Sequence, residues 1–224
     1  MDQLALDDAF DRFDRPDVMG PDRRLLLLAG GVTAHGSEPL AAAFFPFALA
    51  RGAGAEPLAE IVLQTHLFAG YPRTINALFA LRAAFGRAQS PSPESAEAPA
   101  TRAARFRTRG ESLCRRIYGS NYDALRKNIR ALHPDLDTWM VEEGYGRVLS
   151  RPGVDAATRE LAALTALVVL HVPRQLQSHL RGARNVGASD AEIELTLDQC
   201  AIVAGEAAVQ AARAAWRSRS SDST

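Results

Sequence analysis

Glu160 and His179 are the two residues whose types and placement suggest chemistry. Glu160 opens one predicted helix and His179 lies midway along the next, so an antiparallel hairpin would bring them together. A carboxylate and an imidazole in one pocket are the minimum set for proton transfer. Each also has a plainer reading. Glu160 follows Arg159 at a helix start, where a carboxylate compensates the helix dipole. His179 is flanked by Leu176 and Leu180 and reads equally as a core histidine. His171 is placed as a cation near helix-terminal carbonyls. A His171–His179 metal site is disfavoured by the intervening Pro173 and by the lack of a third nearby ligand, so no metal is expected.

The elements that must hold this pair lie in residues 145–187, an arginine-rich turn followed by two helices and a proline break. Asp155 is placed to cap the first helix by accepting from its orphan N–H groups. Leu161, Leu164, Thr165 and Val168 recur at helical spacing and predict one apolar face. Pro173 fits the first turn of the second helix, where its missing N–H costs nothing. Gly187 closes the hairpin. Asn185 reads as a residue of that closing turn or as a substrate contact.

Alanine and leucine dominate the 224 residues and aromatics make up only 7%, which favours an all-α fold. The 26 basic residues balance 26 acidic ones, so no global field points to nucleic acid as a partner. Residues 102–130 are locally basic and the first seventeen lean acidic, as solvated helix faces do. Cys114 and Cys200 stand far apart, form no CxxC, and read as small buried apolar residues rather than a disulfide or zinc set. Residues 161–170, the longest apolar run, are about half the length that spans a bilayer. The N-terminus lacks the apolar region of a signal peptide. A cytoplasmic protein without a membrane partner is expected.

Residues 1–17 predict a short amphipathic helix presenting Leu4, Leu6, Phe10 and Phe13. Helical segments follow, punctuated by glycines at 36, 52, 54 and 70, with Pro46 expected to kink or shorten the second. A Pro/Ser/Ala/Glu-rich linker spans 89–101. It divides an N-terminal helical repeat, 1–88, from a C-terminal helical domain, 102–219. Three helices are predicted between 101 and 150. Ser189 and Glu192 make a capping box, Gly205 precedes the final helix, and a serine-rich tail closes the chain.

Sliding the chain against itself by 135 residues superposes Arg24 on Arg159, Ala48 on Ala183, Gly52 on Gly187, Gln64 on Gln199, Ala69 on Ala204 and Gly70 on Gly205. Two tandem copies of a four-helix unit are expected. Leu25 stands opposite Glu160 and Phe44 opposite His179, so the first copy lacks the pair and would serve as packing partner. The Phe44, Phe45 and Phe47 cluster reads as core or oligomer interface.

Residues 109–213, with their R-P-G turn, R-E-L, the histidine and N-V-G, resemble the carboxymuconolactone decarboxylase family, which shares the alkylhydroperoxidase D-like fold. In the first half, IVLQTHLFAGYPRTINALFALR resembles the helix pair closing the same unit. The resemblance implies an all-α fold and homo-oligomers; fusing two units suggests few chains, such as a trimer. The family's peroxidase branch uses a glutamate, a CxxC pair and a histidine. The two cysteine positions fall here on Val172 and Gln175, which cannot supply a thiolate, so thiol peroxidase (peroxiredoxin-type) activity is disfavoured. The decarboxylase branch keeps Glu160 and His179 and needs no cysteine or cofactor.

That branch implies a carboxy-lyase acting on a small carboxylated lactone or related acid, with Glu160 and His179 moving the proton. Arg147, Arg151, Arg181 and Arg184 are candidates by position to hold substrate carboxylates, since a guanidinium fork binds them bidentately. His66 sits in an apolar first-copy helix, where it is either core or turned towards the substrate. The family's closing aromatic-Ala-Gly-aromatic-Pro stretch is present from Phe68 to Pro72 but reads V-A-G-E-A in the second copy. If that stretch lines the pocket, the first copy must supply it. A non-catalytic helical oligomer acting as a binding or scaffold module is the alternative.

Overall fold

Residues rich in alanine and leucine lose little side-chain freedom in a helix, and every regular element of the structure is helical. The computed structural model describes residues 3–85 and 99–218, and among these there is no strand. Most of the expected linker (89–98) and the serine-rich tail from 219 lie outside the described residues. No helix among the described residues is long and apolar enough to cross a membrane.

The described residues of 1–88 and 153–224 form one compact unit, and those of 89–152 form a second. The first unit holds α1 (Gln3–Asp11), α2 (Pro21–His35), α3 (Glu38–Ala50), α4 (Ala55–Gln64), α5 (His66–Phe85), α9 (Ala156–Val169), α10 (Pro173–Asn185), α11 (Asp190–Gln199), α12 (Ala201–Ala204) and α13 (Glu206–Ser218). The second holds α6 (Pro99–Tyr118), α7 (Tyr122–Leu132) and α8 (Pro134–Trp139), which runs on as a π-helix, Met140–Leu149.

This grouping corrects the division expected at the linker. Helices α9–α13 share one core with α2–α5, in which Leu25, Leu28, Phe44, Phe45, Leu161, Leu164 and Leu197 are all buried. The α2–α9 crossing is its centre. A Cβ at Gly30 would meet the Ala162 carbonyl oxygen at 2.7 Å, so the close approach needs glycine there. Thr165 Oγ1 donates to the Leu27 carbonyl at 2.6 Å across the same crossing. Every residue of α9 from Thr158 to Val168 is buried. The helix is enclosed all round and does not present the single apolar face expected of it.

Helix bounds in the two halves of this unit recur at one offset. Residues 38–50 and 55–64 fall on 173–185 and 190–199 when shifted by 135. Gly70 inside α5 (φ 78°, ψ 170°) and Gly205 between α12 and α13 (φ 79°, ψ 164°) break their helices with the same backbone geometry. The recurrence is in keeping with a duplicated unit. Pro46 does not shorten α3, which continues to Ala50. His171, at φ 55°, is the left-handed residue that ends α9, where the first copy has Gly36 at φ 76°.

In the second unit the π-helix is clamped against α6. Val141, Tyr145, Val148 and Leu149 are buried there, as are Phe106, Leu113, Cys114 and Ile117 of α6. A Cβ at Gly110 would lie 2.0 Å from the Val141 carbonyl oxygen, and one at Gly146 would lie 2.0 Å from that of Phe106. Both obstacles are backbone and cannot swing aside. Asp137, 1% exposed, accepts from Arg126 and Arg130; the Arg126 bond, with help from Arg130, holds its carboxyl below the usual range against the upward push of burial.

Gly110→Ala and Gly146→Ala are each expected to destabilise the chain by about 1–3 kcal/mol or more through overpacking. Urea unfolding followed by circular dichroism checks this. A midpoint unchanged from wild type in both variants would show that the helices can part at no cost.

Candidate active site

The first turn of α9 is set by a cap with several partners. Asp155 accepts from the Thr158 N–H at 2.9 Å and from the Thr158 hydroxyl at 2.6 Å. Arg23 of α2 donates to Thr158 Oγ1 at 2.8 Å and pairs with Glu192 in the capping box of α11. Burial alone would raise the Asp155 pKa, but the Thr158 bonds and the Arg23 charge outweigh it and hold the carboxyl below its ordinary value. The start of α9 is thereby tied to α2 and α11 before any site residue is considered.

One residue past Thr158 the chain buries a guanidinium. Arg159 is 1% exposed. Its Nη2 donates to Glu60 at 2.9 Å, its Nη1 to Gln64 Oε1 at 3.0 Å, and its Nε to the Val154 carbonyl at 3.3 Å. Gln64 Nε2 returns a bond to the Arg159 carbonyl at 2.9 Å. A buried charge needs such pairing to be tolerated.

Glu160 follows directly, 1% exposed, and Oε2 accepts from His179 Nδ1 at 2.8 Å. His179 projects from α10 and is 7% exposed. The Phe68 ring meets the imidazole edge-on, centroids 5.4 Å apart. Phe68 stands at the head of the aromatic-Ala-Gly-aromatic-Pro stretch, so that stretch brings a ring against His179. A carboxylate on Nδ1 fixes the imidazole ring and leaves Nε2 to meet a substrate.

The remaining candidates stand elsewhere. Arg181 is exposed; two residues along a helix is a turn of about 200°, which carries it away from the His179 side. Arg184 pairs with Asp190 at 2.9 Å, with its guanidinium 5.9 Å from the Trp216 ring centroid. By these placements neither is directed at the pair within this chain. Arg147 and Arg151 belong to the second unit, where Arg147 pairs with Glu143 at 3.0 Å. His66 is half-buried; Nδ1 donates to the Leu63 carbonyl at 2.6 Å and the ring lies 5.3 Å from that of Tyr71.

Glu60, Gln64 and Arg159 were not among the site residues expected from sequence. For two of them a signal existed: Arg159 and Gln64 are each matched by an identical residue at the repeat offset, an unusual property for buried polar side chains. Nothing local marks Glu60. Among the described residues, no group of three His, Cys, Asp or Glu is arranged to hold a metal ion.

The thiols are placed against nucleophilic use. Cys200 is 1% exposed and bonds the Thr196 carbonyl through Sγ, and burial, with the nearby Asp198 charge, pushes its pKa up to about 12. Cys114 is buried as well. Since only the thiolate attacks, a disulfide reagent at pH 8 is expected to label neither thiol of the native chain while labelling both in denaturant. Rapid labelling of Cys200 in the native chain would reopen the peroxide chemistry.

Residues 134–218 match the carboxymuconolactone decarboxylase family. The chain is 30% identical over 86 residues to 4-carboxymuconolactone decarboxylase of Acinetobacter baylyi, covering 38% of this chain and 64% of that protein. It is 28% identical over 137 residues to Peroxisomal protein 2 of Schizosaccharomyces pombe, covering 61% of this chain and 63% of that protein. The matched region thus falls short of two thirds of either relative. Through residues 134–218, which carry both Glu160 and His179, the chain is similar to the carboxymuconolactone decarboxylase family.

Proposed function

We infer that this protein is a cofactor-free, acid–base decarboxylase of a small carboxylated lactone or related acid. The observation that carries the reading is the buried 2.8 Å bond between Glu160 and His179 Nδ1. The similarity to a carboxymuconolactone decarboxylase supports the substrate class. In the reaction the carbon–carboxylate bond breaks and carbon dioxide leaves. The electron pair left behind is held by the lactone, and the carbon then takes a proton. His179, the more exposed of the two, presents Nε2 and delivers that proton. Glu160, nearly enclosed, orients the ring and stabilises the imidazolium before transfer. This division of labour follows the general rule that the buried carboxylate of such a pair positions the base.

What supports an enzyme over a non-catalytic helical oligomer is the direction of Glu160. A carboxylate kept only for helix polarity would sit in water, where its solvation costs nothing. Enclosing one against an imidazole is worth its desolvation only if the pair is used or the charge is otherwise needed. The buried, thiolate-disfavoured Cys200 weighs against the peroxidase alternative.

Carbon dioxide release from carboxymuconolactone, measured for the wild type beside Glu160→Gln and His179→Ala, tests the reading. General acid–base catalysis contributes ~10²–10⁴-fold, so His179→Ala is expected to lose turnover on that scale and Glu160→Gln to lose less. Wild-type rates in His179→Ala would sink the assignment of roles. An inert wild type would sink this substrate.

A further inference from the structure

We propose that Glu60 and Gln64, from the copy that lacks the Glu–His pair, are positioning residues for Glu160 and His179, acting through Arg159. The inference rests on reading that pair as a proton-transfer site. The bonds that Gln64 and Glu60 make with Arg159 do two separate things. Gln64 grips the residue at both ends, accepting from the guanidinium at 3.0 Å and donating to the main-chain carbonyl at 2.9 Å. This fixes the rotation of the α9 turn from which Glu160 projects. Glu60 takes a guanidinium N–H at 2.9 Å and supplies the countercharge. A guanidinium so occupied does not compete for the Glu160 carboxylate, which is left to His179.

The molecule contains its own comparison. At the offset of 135, Arg159 corresponds to Arg24, Gln64 to Gln199, and Glu60 to Leu195, while Glu160 and His179 correspond to Leu25 and Phe44. The arginine and glutamine are retained in both places and fully buried, Arg24 and Gln199 each at 0% exposure. Yet the cradle forms only on the side that has the pair. Gln199 Oε1 and Nε2 and Arg24 Nε have no hydrogen-bond partner among the described residues. Arg24 turns instead to the Phe10 carbonyl at 2.6 Å and Asp14 at 3.0 Å. Arg24 thus meets its charge without the glutamine, and the Gln199 side chain does not hold its main-chain carbonyl as Gln64 holds that of Arg159. The cradle is complete only where a carboxylate has to be aimed at an imidazole.

The test uses the full chain labelled with ¹⁵N-histidine. The ring-nitrogen shifts of His179, assigned by their loss in His179→Ala, report which nitrogen carries the proton. Wild type is expected to show Nδ1 protonated, as the bond to Glu160 demands, with Nε2 as the nitrogen that exchanges its proton. Gln64→Leu and Glu60→Gln are expected to give a mixture of tautomers and, on the decarboxylation substrate, to lower kcat ~10–100-fold with KM changed less than about twofold. Glu60→Asp should restore part of both. Thr165→Ala, which removes the bond to the Leu27 carbonyl across the α2–α9 crossing, is the control for stability loss alone. Gln64→Leu and Glu60→Gln behaving like Thr165→Ala, with a lower melting temperature but an unchanged His179 tautomer, would overturn the proposal. Should Glu60→Gln not fold, Gln64→Leu decides, because it leaves the ion pair in place. A tautomer change in a chain inert towards the lactone would uphold the positioning role while removing the substrate assignment.

Discussion

A guanidinium that is 1% exposed imposes the constraint on which the rest of this structure depends. Arg159 sits in the first turn of α9, a helix with no solvent-facing side, so its charge must be met by protein groups. Leaving such a charge with its partner removed costs about 3–5 kcal/mol, which is a large part of the stability of an ordinary domain. The partners come from α4, nearly a hundred residues earlier in the chain. Meeting the charge of Arg159 therefore forces the first copy and the second to be one folded object. The shared apolar core and the Gly30 crossing follow the same path.

The arginines at the two ends of the 135-residue offset, both buried, are met differently. Arg24, the counterpart of Arg159, is also enclosed, and burial pulls its pKa down while Asp14 and Asp11 oppose the shift. Its guanidinium lies over the Phe10 ring at 3.9 Å. Thus Phe10 of α1 and Asp14 just beyond it do for Arg24 what α4 does for Arg159. Arg51, paired with Asp7 and Asp11, ties the same short helix down at its outer edge. A nine-residue helix has little stability by itself; these arginines and the burial of Leu6 and Phe10 explain why it is ordered.

How much of this could be read from the sequence follows the range of the interactions. The Asp155 and Ser189 caps, the break at Gly205 and the helix ends around Gly36 and Gly187 depend on neighbours a few residues away, and their residue types announce them. Glu160 and His179 lie on adjacent helices of one hairpin, so their meeting needed only a short turn. The π-helix did not announce itself, and its close approach at Gly146 is to Phe106, forty residues upstream. Glu60 was invisible for the same reason: it looks like any helix glutamate until Arg159 is placed beside it. The domain boundary was misread at the linker because composition marks where a chain is polar, and not which sides of it share a core.

The positions that match the pair at the 135-residue offset are apolar. Where the second copy has Glu160 and His179, the first has Leu25 and Phe44, both at most 1% exposed. Around Phe44 the side chains of Leu6, Phe10, Leu28, Val32, Phe47 and Val203 close the space completely enough that no water-sized void remains. Val203 stands at the position matching Phe68, so where one half meets an imidazole edge-on the other packs a half-buried valine against apolar core. A filled core contributes stability in proportion to the area it removes from water, whereas a buried carboxylate and imidazole cost desolvation. The side that packs without polar groups offsets the side that carries them. Placing a Glu–His pair at positions 25 and 44 would put an imidazole against Phe10 and Leu6 with no cradle behind the carboxylate, since Leu195 cannot act as Glu60 does. The asymmetry is therefore one of packing: Leu6 and Phe10 of α1 cover Phe44, while the bonds that meet a buried charge beside Glu160 stand on the other side.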